Sequence, residues 1–296
     1  MSVPDSWALE DPPPRPPSSL IWLPGLGEIF VRDSGGEGPP ILLLHGWMFS
    51  ADLNWGLAYG ALADAGYRVI AVDHRGHGRG IRATTPFRLH QCADDAAKVL
   101  EALDCGPVIA VGYSMGGPIT ALLARDHPDR VRATVYCATA TNWQEPHMRR
   151  YWRLMGPLRV ATGLWSVRVW RRVLLRWGLP DNAQTTWIAC ELTRGSPVDL
   201  AEAGRELSRF DSRPWIGTLD VPSAVVVTTR DTSVPPRLQR ELAAAVDGPT
   251  FDVDADHFAV TEARQDFNDA LVRALAAVRG PGSPDPPGQS AAPAPL

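Results

Sequence analysis

Short, continuously apolar runs alternate with longer amphipathic stretches along most of this chain. Ile41-Leu42-Leu43-Leu44 is apolar at every position, as expected of a strand covered on both faces. Comparable runs recur at Ile21–Leu23, Glu28–Arg32, Arg68–Val72, Pro107–Val111, Ala133–Cys137, Ala224–Thr228 and Thr250–Val253. Helical patterns fall between them, near 51–65, 89–103, 115–127, 236–246 and 262–278. Such β–α alternation predicts an α/β fold, with a mainly parallel sheet flanked by helices on both faces.

The alternation lapses over 142–216, which carries helix-like runs and no convincing strand between the sixth and seventh strand candidates. This segment reads as a helical cap, leaving 18–141 and 217–279 as the core. Residues 1–17 are rich in proline and read as a loose arm. Residues 280–296 are largely proline, glycine, alanine and serine, a composition that cannot bury a core, so a disordered tail is expected there.

Composition narrows the class. With 296 residues, 45% of them hydrophobic, the chain can build one large core, or a core plus a subdomain. A net charge of −4 argues against a general nucleic-acid binder. Lys98 is the only lysine, and the arginine excess reads as a coding bias. Cys92, Cys105, Cys137 and Cys190 are scattered without metal-ligand spacing, so no metal site is expected and reduced, cytoplasmic thiols are. The first residues lack the basic and apolar regions of a secretory signal. No apolar run approaches the roughly 18 residues of a membrane span.

The sharpest local signal is Gly112-Tyr113-Ser114-Met115-Gly116, set between a strand-like run and a helix-like run that has Pro118 in its first turn. In that setting the pentapeptide predicts a tight strand-to-helix turn that lifts Ser114 Oγ clear of the sheet. A serine hydroxyl needs a base, a group orienting the base, and donors for the oxyanion it creates. His257 follows the last strand candidate and is the one histidine late in the chain. Asp231 follows the seventh strand candidate and lies between Ser114 and His257. The backbone N–H of Met115 and that of Trp47, in the loop His45-Gly46-Trp47-Met48, are the candidate oxyanion donors. His45 reads as a residue that fixes this loop.

Taken together, His45-Gly46-Trp47, Asp73-His74-Arg75-Gly76-His77-Gly78, Gly112 to Gly117, Asp231 with Val234-Pro235, and His257 resemble the α/β-hydrolase superfamily over about Leu20 to Val278. The nearest likeness is to its esterase, lipase and cofactor-free haloperoxidase-like branch. That resemblance implies an eight-stranded, mostly parallel sheet whose second strand is antiparallel. It also implies a cap inserted after the sixth strand, the chain order serine, aspartate, histidine, and no cofactor. Asp73 then reads as a structural turn residue. Two departures stand out: Arg79 where a serine is common, and Thr228-Thr229 where a glycine is usual before the acid. Both are expected to affect loop detail more than chemistry. Epoxide hydrolases and haloalkane dehalogenases resemble the same architecture but use aspartate as nucleophile, which serine at 114 argues against.

Seven of the eleven tryptophans lie in the cap: 143, 152, 165, 170, 177, 187 and 215. Helical spacing puts Trp170, Val173, Leu174 and Trp177 on one face and Arg168, Arg172 and Arg176 on the other, with Arg171 beside them. From His147 to Pro180 the cap has eight arginines, including Arg149, Arg150, Arg153 and Arg159, and no acidic residue. The simpler reading is an amphipathic lid with a solvated basic face; a weak contact with an anionic membrane surface is the alternative. Trp47, Tyr113 and Trp143 are candidate walls of an apolar substrate pocket. The expected activity is serine hydrolysis of carboxylic esters with a hydrophobic acyl or alcohol group. The same residues are compatible with perhydrolase, haloperoxidase-like or carbon–carbon hydrolase chemistry, and a non-catalytic ligand-binding module is a further alternative. The expected partner is a small-molecule ester rather than nucleic acid, and none of these features sets an oligomeric state.

Overall fold

The structure, a computed structural model, describes residues 11–145, 148, 157 and 166–279. The expectations for the first ten residues, for the 280–296 tail, and for His147, Trp152, Trp165, Arg149, Arg150, Arg153 and Arg159 lie outside the described residues.

Eight strands form one sheet: β1 (Ser18–Leu23), β2 (Gly27–Asp33), β3 (Pro40–Leu44), β4 (Arg68–Val72), β5 (Val108–Tyr113), β6 (Val131–Cys137), β7 (Ser223–Thr228) and β8 (Thr250–Val253). Their order is β1-β2-β4-β3-β5-β6-β7-β8. β2 runs antiparallel to β1 and β4, and every other neighbouring pair is parallel. The central strands are apolar throughout because alternate residues feed two separate cores. Leu42, Leu44, Ile70, Val72, Val108 and Ala110 pack toward α3 (Leu89–Ala102) and α4 (Gly116–Asp126). Ile41, Leu43, Val69, Ala71, Ile109 and Val111 pack toward α1 (Ala51–Trp55), α2 (Tyr59–Asp64) and a helix near the C-terminus.

Between β6 and β7 the described chain carries α5 (Val167–Arg176), α6 (Ala183–Leu192) and α7 (Pro197–Leu207). After β7 come α8 (Pro236–Ala245), α9 (Ala259–Glu262) and the C-terminal α10 (Arg264–Val278). Two helical expectations change in detail. The run at 51–65 divides into α1 and α2 at residues 56–58, where Ala58 N turns to the Trp55 carbonyl at 2.8 Å and the Leu57 carbonyl accepts from Asn268 of α10 at 3.0 Å. The run at 262–278 begins at Arg264, because Ala263 has the non-helical dihedrals φ −121° and ψ 51°.

The segment 11–17, largely exposed, touches the rest of the fold at three points. Pro13 is buried against Gly56, the Pro16 carbonyl accepts from Arg32 at 3.0 Å, and the Arg15 guanidinium stacks on Trp187 of α6.

The inserted helices are fastened to the core by polar contacts that the hydrophobic pattern does not reveal. Arg79 forks onto the fully buried Glu191 of α6, with contacts of 3.0 and 2.5 Å, and Glu191 also accepts from Ser50 Oγ at 2.6 Å. Trp47 Nε1 donates to the Leu200 carbonyl at 2.8 Å, and Ser196 N to the Gly76 carbonyl at 2.7 Å. Trp170, Leu174, Leu179 and Ile188 form a small core of their own, against which Met48 and Leu53 pack. On α5, Arg168, Arg172 and Arg176 face solvent. Trp177 departs from expectation: the helix ends at Arg176, and Trp177, as its C-cap, is 63% exposed instead of joining Trp170 and Leu174.

Candidate active site

The turn between β5 and α4 forms because its neighbours leave it no alternative. Ser114 has φ +51°, a left-handed conformation that costs a non-glycine residue about 1–3 kcal/mol. Three hydrogen bonds hold it there. Ser114 N donates to the Cys137 carbonyl at 2.9 Å, and the Ser114 carbonyl accepts from Gly117 N at 2.9 Å and from Thr139 Oγ1 at 2.8 Å. The flanking glycines are required by close approach. A β-carbon on Gly112 would lie 2.3 Å from the Gly116 carbonyl oxygen, and one on Gly116 would lie 2.0 Å from the Leu44 carbonyl oxygen. Gly116→Ala is therefore expected to destabilise the protein by about 2–3 kcal/mol, read as a lower urea midpoint at unchanged slope.

Ser114, His257 and Asp231, 143 and 26 residues apart in sequence, meet at the ends of β5, β8 and β7. His257 Nε2 lies 3.0 Å from Ser114 Oγ, and His257 Nδ1 lies 2.8 Å from Asp231 Oδ2. The carboxylate therefore selects the tautomer with hydrogen on Nδ1, leaving the Nε2 lone pair directed at the serine hydroxyl. Asp231 is itself fully enclosed and draws four further donors: Ser233 N and Val234 N to Oδ1, and Thr228 Oγ1 and Gln239 Nε2 to Oδ2. Asp254 and Asp256, the other carboxylates near His257, are occupied locally. Asp254 pairs with Arg230, and Asp256 accepts from the backbone N–H groups of Thr232 and His257. Those bonds hold the Asp256 carboxyl below its ordinary range against an opposing effect of burial.

The loop 45–48 passes directly beside the serine: a β-carbon on Gly46 would sit 3.4 Å from Ser114 Cβ. His45 is buried and bridges two segments. Its Nδ1–H donates to the Gly46 carbonyl at 2.8 Å, and its Nε2 accepts from His74 N at 2.9 Å. Because a trans peptide points its C=O and N–H in opposite directions, the Trp47 N–H faces away from that His45 bond. Gly46 N is held by Asn54 Oδ1 at 2.9 Å, and Met48 takes a left-handed φ of +67° to complete the turn. Burial pushes the imidazolium forms of His74 and His77 down to about 3 and about 4, and that of His45 well below its ordinary value, so all three are neutral supports. Met115, fully buried, precedes the first turn of α4, where its N–H stands at the positive end of the helix.

Asp73 is the turn residue anticipated for it. Its carboxylate accepts from Ala51 N and Arg79 N, both at 2.6 Å, while burial pushes its carboxyl up to about 6. The pocket candidates divide. Trp47 and Trp143 both pack on the apolar cluster that contains Met115. Tyr113 is a correction. It points into the opposite core, edge-on to Trp55 and Phe267, and its hydroxyl donates to the His257 carbonyl at 2.5 Å. Alternation along β5 sends residue 113 to that side, so Tyr113 supports His257 from beneath and does not line a pocket.

Arg79 and Thr228 stood out in the sequence only as departures from the family pattern; their bonds to Glu191 and to Asp231, and Gln239 altogether, escaped the sequence reading. The only signal for Gln239 was its place beside Leu238 on the apolar stripe of α8. Among the described residues no group of three or more His, Cys, Asp or Glu side chains is arranged to hold a metal ion, and no helix is long and apolar enough to cross a membrane. A solvent-open depression of about 530 Å³, lined by Leu89, His90, Arg125 and Phe210 among others, lies toward the opposite end of α4 from Ser114.

Sheet order, the single antiparallel strand, the insertion after β6 and the left-handed serine turn together define an α/β-hydrolase fold. The family profile for the alpha/beta hydrolase fold matches residues 39–161, a little under half of the chain, so the fold is that of the α/β hydrolases and the sequence likeness to the family lies in this part. A non-heme chloroperoxidase of Streptomyces lividans is 39% identical over 109 residues, which is 36% of this chain and 39% of that enzyme. Epoxide hydrolase B of Mycobacterium tuberculosis is 37% identical over 101 residues, 33% of this chain and 28% of that enzyme. The chain thus spans well under half the length of these curated relatives. Among solved structures, an esterase from Exiguobacterium antarcticum superposes with a TM-score of 0.73 at 20% identity, covering 88% of this chain and all of that one.

Proposed function

We propose that this protein is a serine hydrolase that cleaves carboxylic esters bearing a hydrophobic acyl or alcohol group through an acyl-enzyme. The observation that carries the reading is the continuous hydrogen-bonded series from Ser114 through His257 to Asp231, with the serine on a strained turn at a helix N-terminus. In this mechanism His257 Nε2 takes the Ser114 proton as Oγ attacks the ester carbonyl. The N–H groups of Trp47 and Met115 receive the oxyanion, and the imidazolium, steadied by Asp231, passes its proton to the departing alcohol. Water then enters by the same route in reverse and frees the acid. Trp47 and Trp143, on the cluster beside Met115, favour an apolar acyl or alcohol group.

The likeness to the chloroperoxidase supports a second reading, in which hydrogen peroxide replaces water as acceptor and a peracid is released. The likeness to an epoxide hydrolase is not carried over, because ring opening in that branch uses a carboxylate nucleophile and position 114 is serine. One experiment separates the outcomes. A fluorophosphonate probe should label Ser114, identified by peptide mass, and a nitrophenyl ester series from acetate to palmitate should be hydrolysed with a burst of nitrophenol. Acetate plus peroxide, assayed in parallel for peracid, distinguishes the acceptors. A protein that neither labels nor turns over any ester would be a binding module on this fold.

A further inference from the structure

We infer that Thr228 and Gln239 are positioning residues that hold the Asp231 carboxylate and temper its grip on His257, setting the lower pH bound of the reaction; this rests on the serine-hydrolase reading above. Both side chains are completely buried. Burying a hydroxyl and an amide is costly unless each is fully bonded, and an apolar pair would fill the same space more cheaply.

Their bonding is directional. Gln239 Oε1 accepts from Thr228 N at 3.0 Å, which fixes the amide's orientation. Gln239 Nε2 has two hydrogens: one goes to the Val234 carbonyl at 2.7 Å, and the other is shared between Thr228 Oγ1 at 2.8 Å and, as the longer arm, Asp231 Oδ2 at 3.2 Å. Because Thr228 Oγ1 accepts from Gln239, its own hydrogen is delivered to Asp231 Oδ2, at 2.8 Å. The Asp231 oxygen that faces His257 is therefore shared among three donors: the imidazole, the threonine hydroxyl and the glutamine amide. His257 is the sole ion-pairing partner of Asp231 within 4.0 Å among the described residues, so these neutral donors do the work a cation would otherwise do.

Each added donor stabilises the carboxylate's charge and weakens its attraction for the imidazolium. A glycine at 228 would supply no hydroxyl, so the departure noted in the sequence does reach the chemistry. Among the described residues no other charged side chain hydrogen-bonds the Asp231 carboxylate or the His257 ring, and Asp256 is the neighbouring charge that the imidazole feels. Asp256 bonds the His257 N–H, and Asp254 pairs with Arg230. On α8, Arg237 pairs with Glu145 and Glu241, and Arg240 pairs with Asp252. Tyr113 donates to the His257 carbonyl, and its ring lies tilted against the imidazole with centroids 5.9 Å apart.

The test is the pH dependence of kcat/KM on a short-chain ester by pH-stat, for the parent, T228V, T228S and Q239M, each normalised to sites titrated by a fluorophosphonate. T228V removes one donor at nearly constant volume and leaves Gln239 with acceptors. Its acid limb should move up by about half a pH unit. T228S, which restores the hydroxyl, should return the limb to the parent's position, and Q239M should move it in the same direction as T228V. If T228V does not fold, the Q239M profile decides in the same way. An acid limb that stays in place or moves down overturns the inference, whatever happens to kcat, because a purely structural role alters rate without moving the limb. Failure of the parent to label at Ser114 sinks the serine-hydrolase reading instead, so the two failures are distinguishable.

Discussion

Replacing Ser114 with alanine is expected to lower kcat on a nitrophenyl ester by about a millionfold and to abolish fluorophosphonate labelling. The size follows from how the residues act. Ser114 Oγ, His257 Nε2 and Asp231 Oδ2 form one series through contacts of 3.0 and 2.8 Å, and removing the nucleophile leaves the others nothing to activate. H257A should cost about as much, and the S114A/H257A double variant scarcely more than either alone, because members of a unit are strongly non-additive. D231N should lose roughly 10⁴-fold by presenting the wrong imidazole tautomer. The fold should survive S114A unharmed, since alanine retains the β-carbon and the backbone bonds that hold the turn. A purified S114A protein that keeps even a hundredth of the parent's esterase activity, with labelling intact, would remove Ser114 from the mechanism.

Arg79→Ala is expected to destabilise the protein by about 3–5 kcal/mol, a drop in Tm of roughly 10 °C. Arg79 is the cation among three enclosed carboxylates. It forks onto Glu191 and lies 3.5 Å from Asp52 and 3.7 Å from Asp73, each of the three with a side chain at 0% exposure. Asp52 retains Arg32 at 2.7 Å, and Asp73 retains its bond to Ala51 N. Glu191 keeps Ser50 Oγ and the half-exposed Arg194, too little to offset its own burial. Removing both charges with R79M/E191L should therefore be less destabilising than R79A alone, because it is the unpaired buried carboxylate, more than the lost ion pair, that is costly. Equilibrium urea unfolding of the three proteins measures this. A change below about 1 kcal/mol for R79A would mean that the fork does not fasten the inserted helices to the core.

The sequence placed all eight strands within one to three residues of their observed ends, for a reason visible in Ile41-Leu42-Leu43-Leu44. A strand buried on both faces must be apolar at every position, and no other short element carries that mark. The helix breaks near Gly56 and Ala263 were not legible. At the first, a carbonyl freed by the turn is bonded by Asn268, more than two hundred residues away. Tyr113 was misassigned because adjacency to Ser114 in sequence says nothing about which side of the sheet a side chain takes, and it takes the side opposite the serine's approach. The cap was legible as helical and amphipathic, yet Trp177 turned outward once α5 ended one residue before it.

What the sequence determined by itself was the alternation that builds the sheet and the order in which Ser114, Asp231 and His257 arrive, because local periodicity and turn chemistry are written in neighbouring residues. What only the tertiary structure decided was every contact whose partners are distant in the chain. Arg79 against Glu191, Trp47 against Leu200, and Gln239 steering Thr228 onto Asp231 are hydrogen bonds between polar groups that burial obliges to find partners. Burial creates that obligation, and the packing of the folded chain, not the spacing along it, selects the partner.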